Sequence, residues 1–115
     1  MPARLDLSYL RSVAGDDEEF VKEMLSMFLN TSPIELNNIE THYQGGNLQM
    51  MASCAHKIKA PVQMIGEPIL ADLILQIETI GKKGEGHDRL PDLIEKLKVE
   101  TALVIKEVEE AFNNM

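Results

Sequence analysis

Between Asn47 and Gly66 the apolar residues Leu48, Met51, Ala55, Ile58, Val62 and Ile65 recur at intervals of three, four, three, four and three. At 3.6 residues per turn, that spacing puts all six on one stripe of a helix. A lone amphipathic helix of this length is marginal in water, so the stripe must be buried against others. The same rhythm returns in Leu70, Leu73, Ile77 and Ile80, and again in Leu90, Leu93, Leu97, Thr101, Val104, Val108 and Phe112. An earlier segment carries Phe20, Met24, Met27, Phe28 and Leu29, then Leu36, Ile39 and Tyr43. No strand-like alternation of period two competes with these stripes.

Start and stop signals divide the stripes. Leu7 to Val13 makes two helical turns and Gly15 ends them. Asp16, with Glu19 three residues on, reads as a capping box for the next helix. Ser32-Pro33 is either a second start or a kink. Gly45-Gly46 stops that helix and Asn47 opens the central one. Gly66-Glu67-Pro68 ends the central helix and starts another, which Gly81 closes. Asp88 caps the last helix, with Pro91 tolerated in its first turn. Asn113 to Met115 is expected to fray. Short connections favour antiparallel neighbours. The expected fold is therefore all-α: an antiparallel up-and-down four-helix bundle with a short extra N-terminal helix, one domain over residues 1–115. Aromatic residues are only 4% and there are seven methionines, so the core must be aliphatic.

Several function classes drop out. The net charge of −8, from 19 acidic and 11 basic residues, leaves no general basic face for nucleic acid. Cys54 is the one cysteine, which rules out an internal disulfide and reads as a small buried hydrophobe. Met1 to Asp6 leads into no apolar signal region, and no apolar run approaches the ~20 residues needed to span a bilayer. A soluble cytoplasmic protein is expected. No phosphate-binding glycine loop and no nucleophile elbow are present. Helical bundles often hold two metals through Glu-x-x-His pairs. Here the residues three before His42, His56 and His87 are Ile39, Ser53 and Gly84, so no such pair exists. His42 stands near a helix end, where it complements the helix dipole. His87 lies in a Gly-rich loop and receives no role.

His56 differs by position. It lies roughly 130° from the centre of the apolar stripe, with Ala52, Lys59, Ala60 and Gln63 within roughly 60° of it. An imidazole opposite the core, beside an ammonium and between small residues, is open to another protein. Neutral imidazole is a nucleophile near its ordinary pKa of ~6.5. Lys59 could stabilise a phosphoryl group placed on it, and Gln63 could hydrogen-bond it. A nearby lysine also disfavours imidazolium. On pattern alone, a plain surface histidine remains the simpler reading.

The stretch Ala55-His56-Lys57-Ile58-Lys59-Ala60-Pro61-Val62-Gln63-Met64-Ile65-Gly66 resembles the signature of histidine-containing phosphotransfer (HPt) domains. That pattern runs Ala-His-x-Leu-Lys-Gly-Ser-(Ser/Ala)-x-x-(Ile/Val/Leu)-Gly. Asp6 to Leu10, Asp17 to Phe20 and Ile77 to Gly81 are similar to segments of family members, so the resemblance covers almost the whole chain. It implies that His56 is a phosphoacceptor and Lys59 its phosphoryl-stabilising partner. It further implies a carrier with no ATP site and no cofactor of its own, which shuttles phosphoryl groups between receiver-domain aspartates.

On that resemblance, the partners are receiver domains of response regulators or hybrid histidine kinases, which supply the Mg²⁺. A monomer suffices. The expected partner-binding residues are Ala52, Ser53, Lys57, Ala60 and Gln63. Two positions depart from the family pattern. Ala60 replaces a glycine and Pro61 a serine; proline removes the bond to the Lys57 carbonyl and is expected to kink the helix one turn beyond His56. A helical adaptor that binds a receiver or kinase without being phosphorylated is the alternative. Phosphorylation directly by an ATP-binding domain would need a larger parent protein.

Overall fold

A computed structural model of the chain describes residues 5–115; the reading of Met1 to Arg4 lies outside the described residues. The fold is all-α. Helix α1 spans Ser8–Ala14, α2 Glu18–Gln44, α3 Leu48–Met64, α4 Pro68–Lys83 and α5 Leu90–Asn113, with a 3₁₀ turn at His87–Arg89 before α5. Helix α2 packs on α3 and α5, and α4 packs on the same two, so the four long helices close a ring. One cluster of buried side chains runs through it, from Leu10 of α1 to Val108 of α5.

Helix α2 is a single element. Its 27 residues give about 40 Å of helix at 1.5 Å per residue, close to the molecule's 42 Å long dimension. Pro33 lies inside it without ending it, and Ser32 is buried rather than serving as a cap. The N-cap is Asp17, not Asp16: its carboxylate accepts from the backbone N–H of Glu19 and Phe20. Asp16 takes a left-handed φ of 69° directly after a left-handed Gly15. That two-residue turn delays the helix by one position. Residues near the ends of α2 and α5 show that these two run in opposite directions. Lys98 pairs with Glu40, while Lys22 lies over the Phe112 ring.

Helix α3 starts where Asn47 accepts from the Met50 N–H. Its stripe is the expected one, with Met51, Ala55, Ile58, Val62 and Ile65 all buried and Cys54 beside them. Pro61 is accommodated within α3, which continues unbroken to Met64. Gly66 then takes a φ of 69°, and a Cβ there would lie 1.9 Å from the Asp6 carbonyl oxygen. The bare backbone lets the Asp6 N–H donate to the Gly66 carbonyl, which pins the lead into α1 against the end of α3.

Gly81 does not close α4. The helix runs on to Lys83 and is capped by Gly84. Gly81 is small because α3 lies against it: a Cβ there would meet the Ala52 Cβ at 2.7 Å and the Leu48 carbonyl oxygen at 2.8 Å. The end of α4 thus rests on the start of α3, and these two helices also run in opposite directions. The last helix differs from expectation at both ends. Asp88 falls in the 3₁₀ turn and Arg89 occupies the N-cap without a side-chain bond. Met115 packs partly on the core rather than fraying.

Alanine normally favours a helix over glycine by about 1 kcal/mol. Gly81→Ala should do the reverse here and destabilise by about 1–3 kcal/mol, because the backbone of Leu48 has nowhere to yield. Urea unfolding followed by circular dichroism reads this directly. A variant as stable as the parent would show that α3 and α4 are not this close.

Candidate functional site

His56 projects from the face of α3 opposite its buried stripe, at the border with α4. Its side chain is 62% exposed. Nδ1 lies 2.7 Å from Oε2 of Glu78. The Glu78 side chain is only 5% exposed. On α4, Ile74, Ile77 and Ile80 are buried around it, so the sequence threads a carboxylate into an apolar stripe. Two lysines meet it as well: Lys59 Nζ donates to Oε1 at 2.9 Å and Lys82 Nζ donates to Oε2 at 2.7 Å.

Burial alone pushes the Glu78 carboxyl up, but hydrogen bonds from Lys82, Lys59 and His56 more than offset it and hold it down at about 2. At neutral pH Glu78 is therefore ionised and only accepts hydrogen bonds. The proton between the ring and the carboxylate must then sit on Nδ1. A neutral imidazole has one N–H, so its lone pair is on Nε2. The site has the parts of an oriented nucleophile: an exposed ring, a fixed tautomer, and a carboxylate to meet any positive charge the ring acquires.

The ring and Lys82 border a hollow of about 500 Å³ between α3 and α4, with Gln49, Ala52, Ser53 and Gly81. This corrects the sequence reading in two places. Ala52 is only 3% exposed; it forms the floor under Gly81 rather than an open flank of the ring. Lys59 approaches His56 through the Glu78 carboxylate, so the group touching the ring is an anion and not the ammonium. Ser53, Lys57, Ala60 and Gln63 are all exposed, but they do not form one cluster. Lys57 stands about 100° round α3 from His56. Gln63 is two turns farther on and lines a separate hollow with Tyr9 and Ala71. Ala60 and Pro61 border an apolar cavity of about 250 Å³ with Met27, Thr31 and Met64.

Glu78 and Lys82 were absent from the sequence-based site. A signal for Glu78 existed, since a carboxylate four residues after Ile74 and one after Ile77 falls on the face that must be buried. Lys82 is four residues beyond Glu78, the spacing of a helical ion pair. Cys54 is buried as expected. Burial, then a hydrogen bond with Glu35 and the Glu35 charge, push its thiol above the ordinary value; it is a poor nucleophile at neutral pH.

A family model described as the Hpt domain matches residues 23–113. The chain belongs to the Hpt domain family. Hpt domains are phosphocarriers without kinase activity of their own, and this chain is a phosphotransfer protein of the phosphorelay type. Among solved structures, it is similar to histidine-containing phosphotransfer protein B of Pseudomonas aeruginosa PAO1, with 25% identity and a TM-score of 0.85. That alignment covers 100% of this chain and 99% of the other. A search of curated proteins finds no match. No helix among the described residues is long and apolar enough to cross a membrane.

The Glu78 network has a pH signature. A carboxyl held below its unfolded value stabilises the fold above that unfolded value, near 4.5, and the stabilisation is lost as pH falls towards about 2. The full effect is up to about 3 kcal/mol. In urea melts, wild type should therefore lose stability between pH 4.5 and 2 more steeply than Glu78→Gln. Parallel curves for the two proteins would mean that Glu78 is not held down by its partners.

Proposed function

We propose that the protein is a cytoplasmic, monomeric phosphocarrier in which His56 Nε2 takes a phosphoryl group from a receiver-domain aspartate and passes it to another. The observation that carries this reading is the 2.7 Å contact between Nδ1 of the exposed His56 ring and the buried Glu78 carboxylate. In the forward step Nε2 attacks phosphorus in line with the aspartyl oxygen. The Nε2–P bond forms, the O–P bond breaks, and the aspartate leaves as a carboxylate. The ring keeps its Nδ1 proton and becomes a phosphorylated imidazolium. Glu78 offsets that new positive charge across the hydrogen bond, as a buried carboxylate does for a catalytic histidine in other group-transfer sites.

The reverse step uses the same contact. A second aspartate attacks phosphorus, the O–P bond forms and the Nε2–P bond breaks, and the ring departs as neutral imidazole, a good leaving group that still carries its Nδ1 proton. Lys59 is the cation assigned to the phosphoryl oxygens in this reading. Phosphoryl transfer needs mainly alignment and charge neutralisation, and a helix face held by a packed neighbour provides alignment. The receiver domain brings the Mg²⁺. Ser53, Lys57, Ala60 and Gln63 are the surface that the receiver covers, with Ala52 supporting them from below. The small Ala60 and the apolar Pro61 offer the receiver an uncharged approach at the rim of an apolar cavity, one turn from the nucleophile.

Incubation with a phosphorylated receiver domain tests this. Wild type should acquire acid-labile, alkali-stable label, and His56→Gln should retain less than about 1% of it, since removing the nucleophile removes the covalent step. Equal labelling of the two proteins would assign the phosphoryl group elsewhere. Binding without label, unchanged in His56→Gln, is the outcome that the adaptor reading predicts.

A further inference from the structure

Glu78 binds more cations than a buried carboxylate needs. A single lysine suffices to pair it, yet Lys59, Lys82 and the His56 N–H all converge on its two oxygens. The two lysines are not equivalent. Lys59 is on α3 with the histidine, three residues towards its C-terminus, and its side chain is 30% exposed. Lys82 arrives from α4 and is 57% exposed. Lys82 also shares an oxygen with the ring, since its Nζ and His56 Nδ1 both lie 2.7 Å from Oε2.

The direction of the side chains separates their roles. Helical side chains lean towards the N-terminus of their own helix. The His56 ring therefore leans over the turn that holds Ala52 and Ser53. That is the hollow lined by Gln49, Ser53, Gly81 and Lys82, and Lys59 lies on the opposite side along α3. The hollow exists because Gly81 has no side chain, and the same close contact with Ala52 carries Lys82 to its edge. Helix-dipole complementation accounts for a lysine in the last turn of α4, but Lys83 stands there too. It does not account for one that shares an oxygen with the ring of a nucleophile.

We infer that Lys82 is a second phosphoryl-binding cation, held in reserve on Glu78 and handed to the phosphoryl oxygens when His56 is phosphorylated, with Ser53 and Gln49 as neutral hydrogen-bond donors in the same hollow. The inference rests on the phosphoacceptor reading of His56. A phosphoryl group brings a charge of about −1.5 to −2 near neutral pH. In the resting site one carboxylate holds two ammonium groups, which leaves a surplus positive charge waiting for that anion. Lys82 can swing without leaving Glu78 unpaired, because the imidazolium N–H stays on Oε2 and Lys59 keeps one N–H on Oε1 while its other donors reach the phosphoryl oxygens.

The test loads the intact protein with potassium phosphoramidate, a small donor that needs no receiver. The phosphohistidine is then titrated by ³¹P NMR in wild type, Lys82→Met and Lys82→Arg, with His56→Gln as the control for the site of labelling. A cation in contact with the phosphoryl oxygens favours the dianion. The protonation midpoint should rise by about one pH unit in Lys82→Met and return to within about 0.3 units of wild type in Lys82→Arg. The phosphorylated Lys82→Met protein should also hydrolyse at a rate clearly different from wild type. A Lys82→Met midpoint equal to that of wild type overturns the assignment of Lys82 and leaves the role of His56 standing. Wild type that takes no more label than His56→Gln overturns the phosphoacceptor reading, and this inference with it.

Discussion

Glu78 is a carboxylate with 5% of its side chain exposed, and a charge that deeply buried costs several kcal/mol unless it is paired and hydrogen-bonded. Its pairing dictates the geometry of this face of the protein. Two partners come from α3 and one from α4, so both helices must lie at a fixed distance and rotation. Gly81 against Ala52 sets that distance, and the Leu48 carbonyl closes the space where a larger residue would stand. The three hydrogen bonds together overcome the burial of the carboxylate and keep it ionised. The exposed imidazole is thereby the visible end of a network whose anchor is inside. A surface histidine on a free rotor would present either nitrogen; this one is held by Nδ1.

The long stripes were legible because they repeat. Met51, Ala55, Ile58, Val62 and Ile65 needed only the helical period to be assigned to the core, and the position of His56 followed as the opposite face. The histidine's exposure was readable for the same reason. The details that failed are those where one residue answers to a neighbour distant in sequence. Gly81 reads as a stop by its identity, but its purpose is contact with Ala52 on another helix. Ala52 lies on the same flank of α3 as His56, yet it is buried because α4 comes so close there. Asp16 and Asp17 are equally good caps locally, and the left-handed turn through Gly15 chooses between them. Glu78 stood within an apolar stripe and so carried a signal, but its partners could be assigned only once α3 and α4 were placed side by side.

The departures from the HPt signature have a clear structural expression. Pro61 stands in the interior of α3 where the pattern has serine and leaves the Lys57 carbonyl without its helical donor, yet α3 continues through it. Tertiary packing on the Met51–Ile65 stripe outweighs the local cost. What the substitution changes is the surface: Ala60 and Pro61 join Met27 and Met64 around an apolar cavity one turn from the histidine. His56 and the Glu78 carboxylate are untouched by this. The His56–Glu78 contact and this cavity are therefore separate on α3: the first is made against α4, and the second faces α1 and α2.

The central claim is that Glu78 fixes the His56 tautomer with the proton on Nδ1 and the lone pair on Nε2. Long-range ¹H–¹⁵N correlation NMR of the two ring nitrogens reads this directly, at a pH where the ring is neutral. The account predicts a protonated, pyrrole-like Nδ1 and a bare, pyridine-like Nε2 in wild type, with that preference lost in Glu78→Leu. A proton found on Nε2 in wild type, or a tautomer ratio unchanged by removing the carboxylate, would contradict it.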